Sequence, residues 1–141
     1  MGLVICKTKN QILTNFQIRM KVFCEEQKVS HEEEFDLKEF NGEMYLYADE
    51  NGNYVSCARV LFEDGKAHLG RVATLKEYRN KGYAGKMITS IEKILQTMGI
   101  HEVYLGAQIR AKSFYEGLGY KAYGNEFFDA GIKHIAMKKY I

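Results

Sequence analysis

GRVATLKEYRNKGYAGKMITSIEKIL, residues 70–95, is the stretch whose reading decides the fold. An apolar run over residues 69–75 leads into it. A basic, glycine-punctuated turn follows, Arg79-Asn80-Lys81-Gly82-Tyr83-Ala84-Gly85, and then Ala84, Met87, Ile88, Ile91, Leu95 and Met98 recur at steps of three and four. That change of period predicts strand, tight turn and helix. The first N–H groups of a helix have no partner within it, and the helix dipole adds positive potential there. The turn therefore predicts a phosphate or pyrophosphate site. It is not a P-loop, because Met87 follows Gly85-Lys86 and Asn80 stands where the first glycine belongs; G-x-G-x-x-G is absent. The competing explanation is a plain connection with a solvated basic face.

Upstream, residues 3–7 read as a strand. Thr8 or Asn10 caps a helix whose stripe is Ile12, Leu13, Phe16, Met20 and Phe23, running toward Gln27. Residues 29–42 are acidic and lack a period, which predicts an ordered loop or a short second helix. Residues 43–49, 54–62 and 66–75 are three strands joined at Asn51-Gly52 and Asp64-Gly65. Downstream, Gly99 ends the long helix. Residues 102–107 form a strand that must lie beside residues 69–75 if the helix is a crossover. A short helix carries Ala111, Phe114, Tyr115 and Leu118 on one face. Residues 120–124 are a strand, 126–131 a turn and 132–138 the last strand. One α/β domain over residues 1–141 accounts for this order.

Net charge is +2 with no long basic tract, which argues against generic nucleic-acid binding. No apolar run is long enough to span a bilayer, and the N-terminus lacks a signal-peptide pattern. The three cysteines, Cys6, Cys24 and Cys57, show no paired spacing and read as free thiols in a reducing compartment, so a cytoplasmic protein is expected. The four histidines have no ligand spacing, so no metal is expected. Acidic residues concentrate over 25–39 and basic ones over 76–86, which suits two ligands, or one ligand with two ends.

Arg79-x-x-Gly82-x-Ala84 resembles the R/Q-x-x-G-x-G/A signature of the GNAT N-acetyltransferase superfamily. Ala111-Lys112-Ser113-Phe114-Tyr115-Glu116-Gly117-Leu118-Gly119-Tyr120, one strand later, is similar to that family's A-x-x-F-Y-x-x-L-G-F/Y segment. Arg19-x-x-Val22-Phe23-x-x-Glu26-Gln27, Asp36 and His134-x-x-Met137 look like the small bacterial ElaA/YjcF-like branch. The resemblance covers nearly the whole chain. It implies a single mixed, mostly antiparallel sheet flanked by helices, and an acetyl-CoA-dependent N-acetyltransferase acting on a small amine or peptide. It further implies that two parallel strands splay to admit the pantetheine arm. Val72, Ala73 and Thr74 would bond that arm, Arg79, Asn80, Lys81, Gly82, Tyr83, Ala84 and Gly85 the pyrophosphate, and Tyr115 would protonate the leaving thiolate. Gln108 replaces the superfamily's common asparagine; it bonds the pantetheine or caps the following turn.

For the base that deprotonates the acceptor, the candidates are Glu26, Glu33, Glu34, Asp36, His31 and His134, with carboxylates near Glu33 favoured. Arg19 is expected to pair with Asp36 or Glu26. Dimers are common in such folds, although no interface is legible here. Two other readings stay open at this point: a non-catalytic acyl-CoA-binding module and a nucleotide-phosphate binder.

Overall fold

The structure is a computed structural model and describes residues 2–141. The strands are β1 (Gly2–Ile5), β2 (Gly42–Ala48), β3 (Tyr54–Glu63), β4 (Lys66–Thr74), β5 (Glu102–Gln108), β6 (Lys121–Asp129) and β7 (Ile132–Tyr140). The helices are α1 (Lys9–Arg19), α2 (His31–Glu34), α3 (Tyr83–Thr97) and α4 (Lys112–Gly117). One mixed sheet runs in the order β1-β2-β3-β4-β5-β7-β6, and among the described residues its only parallel pair is β4 with β5. The crossover through α3 is thus the expected one.

Alternation along β2 sends neighbouring side chains to opposite faces. Tyr45 joins one core with Val60, Leu69, Leu105 and Met137, under Met87, Ile88, Ile91 and Leu95 of α3. Leu46 joins the other with Cys57 and Ala73, under Ile18 and Val22. Each fully buried side chain of that size contributes about 1.5–3 kcal/mol, so the apolar stripe of α3 alone fixes the helix on the sheet.

Thr8 is the N-cap of α1. Its hydroxyl accepts the Gln11 N–H at 3.2 Å, and the Gln11 side chain accepts the N–H of Thr8 at 3.0 Å and of Lys7 at 2.8 Å. The helix then widens to a π-helix over Met20–Glu26, where the Gln27 N–H donates to the Val22 carbonyl at 3.2 Å. The buried face departs from the expected stripe already within α1, before the π-helix begins. Leu13 is exposed, whereas Ile18 and Val22 reach the core and Asn15 and Arg19 are buried.

Three further expectations change. The turn expected over 126–131 is confined to Ala130-Gly131, since β6 runs to Asp129. Its pairing slips between Tyr123 and Phe127, around Gly124 at φ +73°, so that glycine marks a bulge within the strand rather than its end. Phe114 and Met98 are exposed rather than turned to the core. Cys57 is buried, and burial pushes its thiol up to about 12.

Candidate functional site

β4 and β5 pair only at Ala67↔Val103 and His68↔Tyr104, then diverge, although β4 continues to Thr74 and β5 to Gln108. A bulge lies just beyond the point of divergence. Between the pairs Cys57↔Ala73 and Arg59↔Gly70, Arg71 and Val72 of β4 together oppose Ala58 of β3. Arg71 takes φ +52°, a left-handed conformation that costs an arginine about 1–2 kcal/mol. A cavity of about 940 Å³ opens in the cleft, lined by Val72, Ala73 and Thr74 on one wall and Leu105, Gly106 and Gln108 on the other.

The basic turn closes one end. Gly82, at φ +83°, is the N-cap of α3, and no side chain caps the helix. The first returning bond is from the Lys86 N–H to the Gly82 carbonyl at 3.1 Å. Among the described residues, the N–H groups of Tyr83, Ala84 and Gly85 therefore stay available, and these residues line the cavity with Asn80 and Arg79. The Arg79 guanidinium donates to the Thr74 carbonyl at 2.9 Å and to Glu26 at 2.8 Å. Lys81 is the exception: its side chain does not line the cavity, and its ammonium sits 5.8 Å from the Tyr78 ring centroid.

Tyr115 reaches the cavity from α4. Its ring meets Phe114 and Tyr120 edge-on, with centroids 5.0 and 5.9 Å away, and is 8% exposed. Burial alone raises its phenol, and no hydrogen bond holds the hydroxyl among the described residues. Opposite, Gln108 donates to Gln27 at 2.8 Å and accepts from Arg110 at 3.1 Å, so the amide bridges the cleft from β5 to the C-cap of the π-helix.

The acidic segment does not act as a free carboxylate patch. Arg19 pairs with Glu34 and Glu39, Arg71 with Glu34 and Asp36, and Arg59 with Asp36 and Glu39. The six groups close an alternating ring, with Arg19 fully buried between Phe16 and Phe35. Arg19 thus has Glu34 and Glu39 as partners, in place of the expected Asp36 or Glu26. The ring anchors residues 34–39 onto the bulged strand, and the Arg71 side chain also donates to the Glu33 and Glu34 carbonyls at 3.2 and 3.0 Å. It holds the left-handed residue in place. Glu26 is engaged by Arg79. Glu33 lies on the exposed rim of the cavity and accepts from the Ser30 hydroxyl at 3.0 Å. His31 is exposed and, like Asp36, does not line the cavity; His134 does. Sequence reasoning missed the bridging role of Gln27 and the whole ring. The signals were the crowding of acids after Glu25 and the expected ion pair of Arg19, which pointed to the segment but not to its partners.

Known proteins share this architecture. A family model described as "Acetyltransferase (GNAT) domain" matches residues 8–141. The Bacillus subtilis (strain 168) protein described as "Uncharacterized N-acetyltransferase YjcF" is 36% identical over 140 residues, which are 99% of each chain. The crystal structure of Escherichia coli ElaA superposes with a TM-score of 0.80 at 22% identity, covering 94% of this chain and 92% of that one. An aminoglycoside 6'-N-acetyltransferase complexed with coenzyme A superposes with a TM-score of 0.76 at 14% identity, covering 99% and 97%. At those identities the two structures speak for the fold alone.

Proposed function

This chain belongs to the GNAT acetyltransferase superfamily, in its YjcF/ElaA-like branch, and is an acyltransferase; from that premise we propose that it transfers an acetyl group from acetyl-CoA to a primary amine. The observation that carries the reading is the splayed β4–β5 cleft, with free helix amides at one end and a buried tyrosine at the other.

The pyrophosphate suits the amides of Tyr83, Ala84 and Gly85, with Arg79 adding charge. The edge of β4 that β5 leaves at Val72, Ala73 and Thr74 suits the pantetheine arm as an added strand would. A backbone N–H near Val72 suits the task of polarising the thioester carbonyl. Glu33 on the rim draws an ammonium toward the cleft. The amine attacks the carbonyl carbon directly in a ternary complex, and the sulfur leaves with the Tyr115 proton. Burial keeps that phenol protonated and, by the same physics, makes a thiolate beside it strongly basic.

Calorimetry with acetyl-CoA, followed by a thiol-release assay over polyamines, amino sugars, aminoglycosides and peptides, tests the proposal. The absence of acetyl-CoA binding by folded protein refutes it. Binding without turnover on any amine would favour a non-catalytic acyl-CoA-binding module instead.

A further inference from the structure

We propose that His134 is the group that takes the proton from the attacking amine, acting through its Nε2; this rests on the acyl-transfer reading above. Four observations bear on it.

His134 is 9% exposed and lines the same cavity as Tyr115. Its Nδ1 lies 2.7 Å from the Ile132 carbonyl oxygen. A carbonyl only accepts, so Nδ1 carries the hydrogen and the neutral ring presents its lone pair at Nε2. Phe127 stacks on the ring at 5.8 Å and 25°, which fixes its plane. Among the described residues, Nε2 has no hydrogen-bond partner.

The register places this lone pair on the side away from the tyrosine. His134 is the cross-strand partner of Gln108 in the β5–β7 ladder, and directly opposed residues point to the same face. The Gln108 side chain reaches Gln27, so both belong to the α1 face. Met137, three residues on, belongs to the other face, in the core with Tyr115. The cleft is therefore flanked by a proton donor on the α4 side and a proton acceptor on the α1 side. A displacement with one group entering and another leaving needs that arrangement.

The other candidates are engaged or solvated. Glu26 is held by Arg79, Glu34 by Arg19 and Arg71, and Asp36 by Arg59 and Arg71. Glu33 is exposed and bonded to Ser30, and Asp129 sits at the exposed end of the β6–β7 hairpin.

The step balances. The acceptor sheds its ammonium proton to solvent at the rim and attacks as a neutral amine; as the N–C bond forms, the nitrogen gives a second proton to Nε2. As the C–S bond breaks, the sulfur takes the Tyr115 proton. His134 then releases its proton to solvent, and the phenolate regains one.

The test compares wild type with His134→Gln and His134→Ala, using the amine that turns over in the thiol-release panel. Both variants should bind acetyl-CoA as wild type does, and kcat should fall about 10²-fold or more. Added imidazole should restore part of the rate to His134→Ala. A kcat for His134→Gln within about threefold of wild type overturns the assignment. So does a loss that falls equally on acetyl-CoA binding, since that marks His134 as packing only. Wild type that acetylates no amine instead refutes the parent reading, and this inference with it. If neither variant folds, a long-range ¹H–¹⁵N spectrum of the wild-type histidines decides: a His134 ring protonated at Nε2 and bare at Nδ1 overturns the proposal.

Discussion

Replacing Arg19 with methionine opens the six-membered ionic ring at its most buried corner. The side chain is fully buried, donates to Glu34 at 2.8 Å and also binds Glu39, and it lies 5.2 and 5.1 Å from the Phe16 and Phe35 ring centroids. Methionine keeps the aliphatic packing between those rings, so the change isolates the charge. Removing one partner of a buried pair costs about 3–5 kcal/mol, because a desolvated charge is left behind. Here neither carboxylate is wholly abandoned: Glu34 keeps Arg71 at 2.8 Å and Glu39 keeps Arg59 at 2.9 Å. The lower end follows, about 3 kcal/mol, or a drop in Tm of about 10 °C for a domain of this size. Urea denaturation measures it as a lower midpoint at unchanged m. Glu126→Gln serves as the control. It breaks the Lys133–Glu126 contact, a 3.6 Å pair half exposed on both sides, and should cost less than about 1 kcal/mol. An Arg19→Met loss no larger than that of the control would refute the idea that the ring restrains the loop.

Tyr115→Phe should lower kcat about 10²-fold and leave the acetyl-CoA dissociation constant unchanged; thiol release and calorimetry read the two, and undiminished turnover removes the phenol from the chemistry. Gly82→Ala places a side chain at φ +83° with no neighbour within 4 Å, so the strain of about 1–2 kcal/mol comes from the backbone. The shifted amides should weaken acetyl-CoA binding, and an unchanged calorimetric affinity would dissociate this turn from the pyrophosphate. Stability should also fall in acid. Burial by itself raises Asp36 and Glu39, but it is outweighed at Asp36 mainly by the Arg59 hydrogen bond and at Glu39 by its own backbone hydrogen bond and by Arg19, so both lie below the usual carboxylate range. A depressed folded pKa gives stabilisation that is full above the unfolded value of about 4 and is lost as pH falls through the folded one. Glu34 of the same ring runs the other way, since burial outweighs its arginine partners and raises it, so the decline in urea midpoint belongs below about pH 4, where Asp36 and Glu39 protonate; midpoints that keep rising below that pH would contradict the sign.

The strand–turn–helix and the crossover were legible because their apolar residues carry the period themselves: Met87, Ile88, Ile91 and Leu95 write out the buried face of α3. The α1 face was misread because the side of the helix that meets the sheet carries Asn15 and Arg19 beside Ile18 and Val22, so its buried positions do not write an apolar stripe. β6 was cut short because almost all of it is exposed, and a strand without a buried face leaves no alternation. At the site, the free amides of residues 83–85 followed from local sequence. The bulge did not, since nothing local distinguishes an arginine destined for positive φ. The ionic ring was illegible for a different reason. Its members run from Arg19 to Arg71, and only tertiary contact decides that Arg19 meets Glu34 and Glu39 while Asp36 goes to Arg59.

The brevity of the β4–β5 ladder has a mechanical consequence. Seven strands are in effect two panels, β1–β4 and β5–β7, hinged along a seam where two residue pairs supply the main-chain stitching. The Gln27–Gln108 amide contact is a clasp across the open end of that seam. Any rod-shaped guest lying in the gap acts as a splint, because it replaces the missing stitches and stiffens one panel against the other.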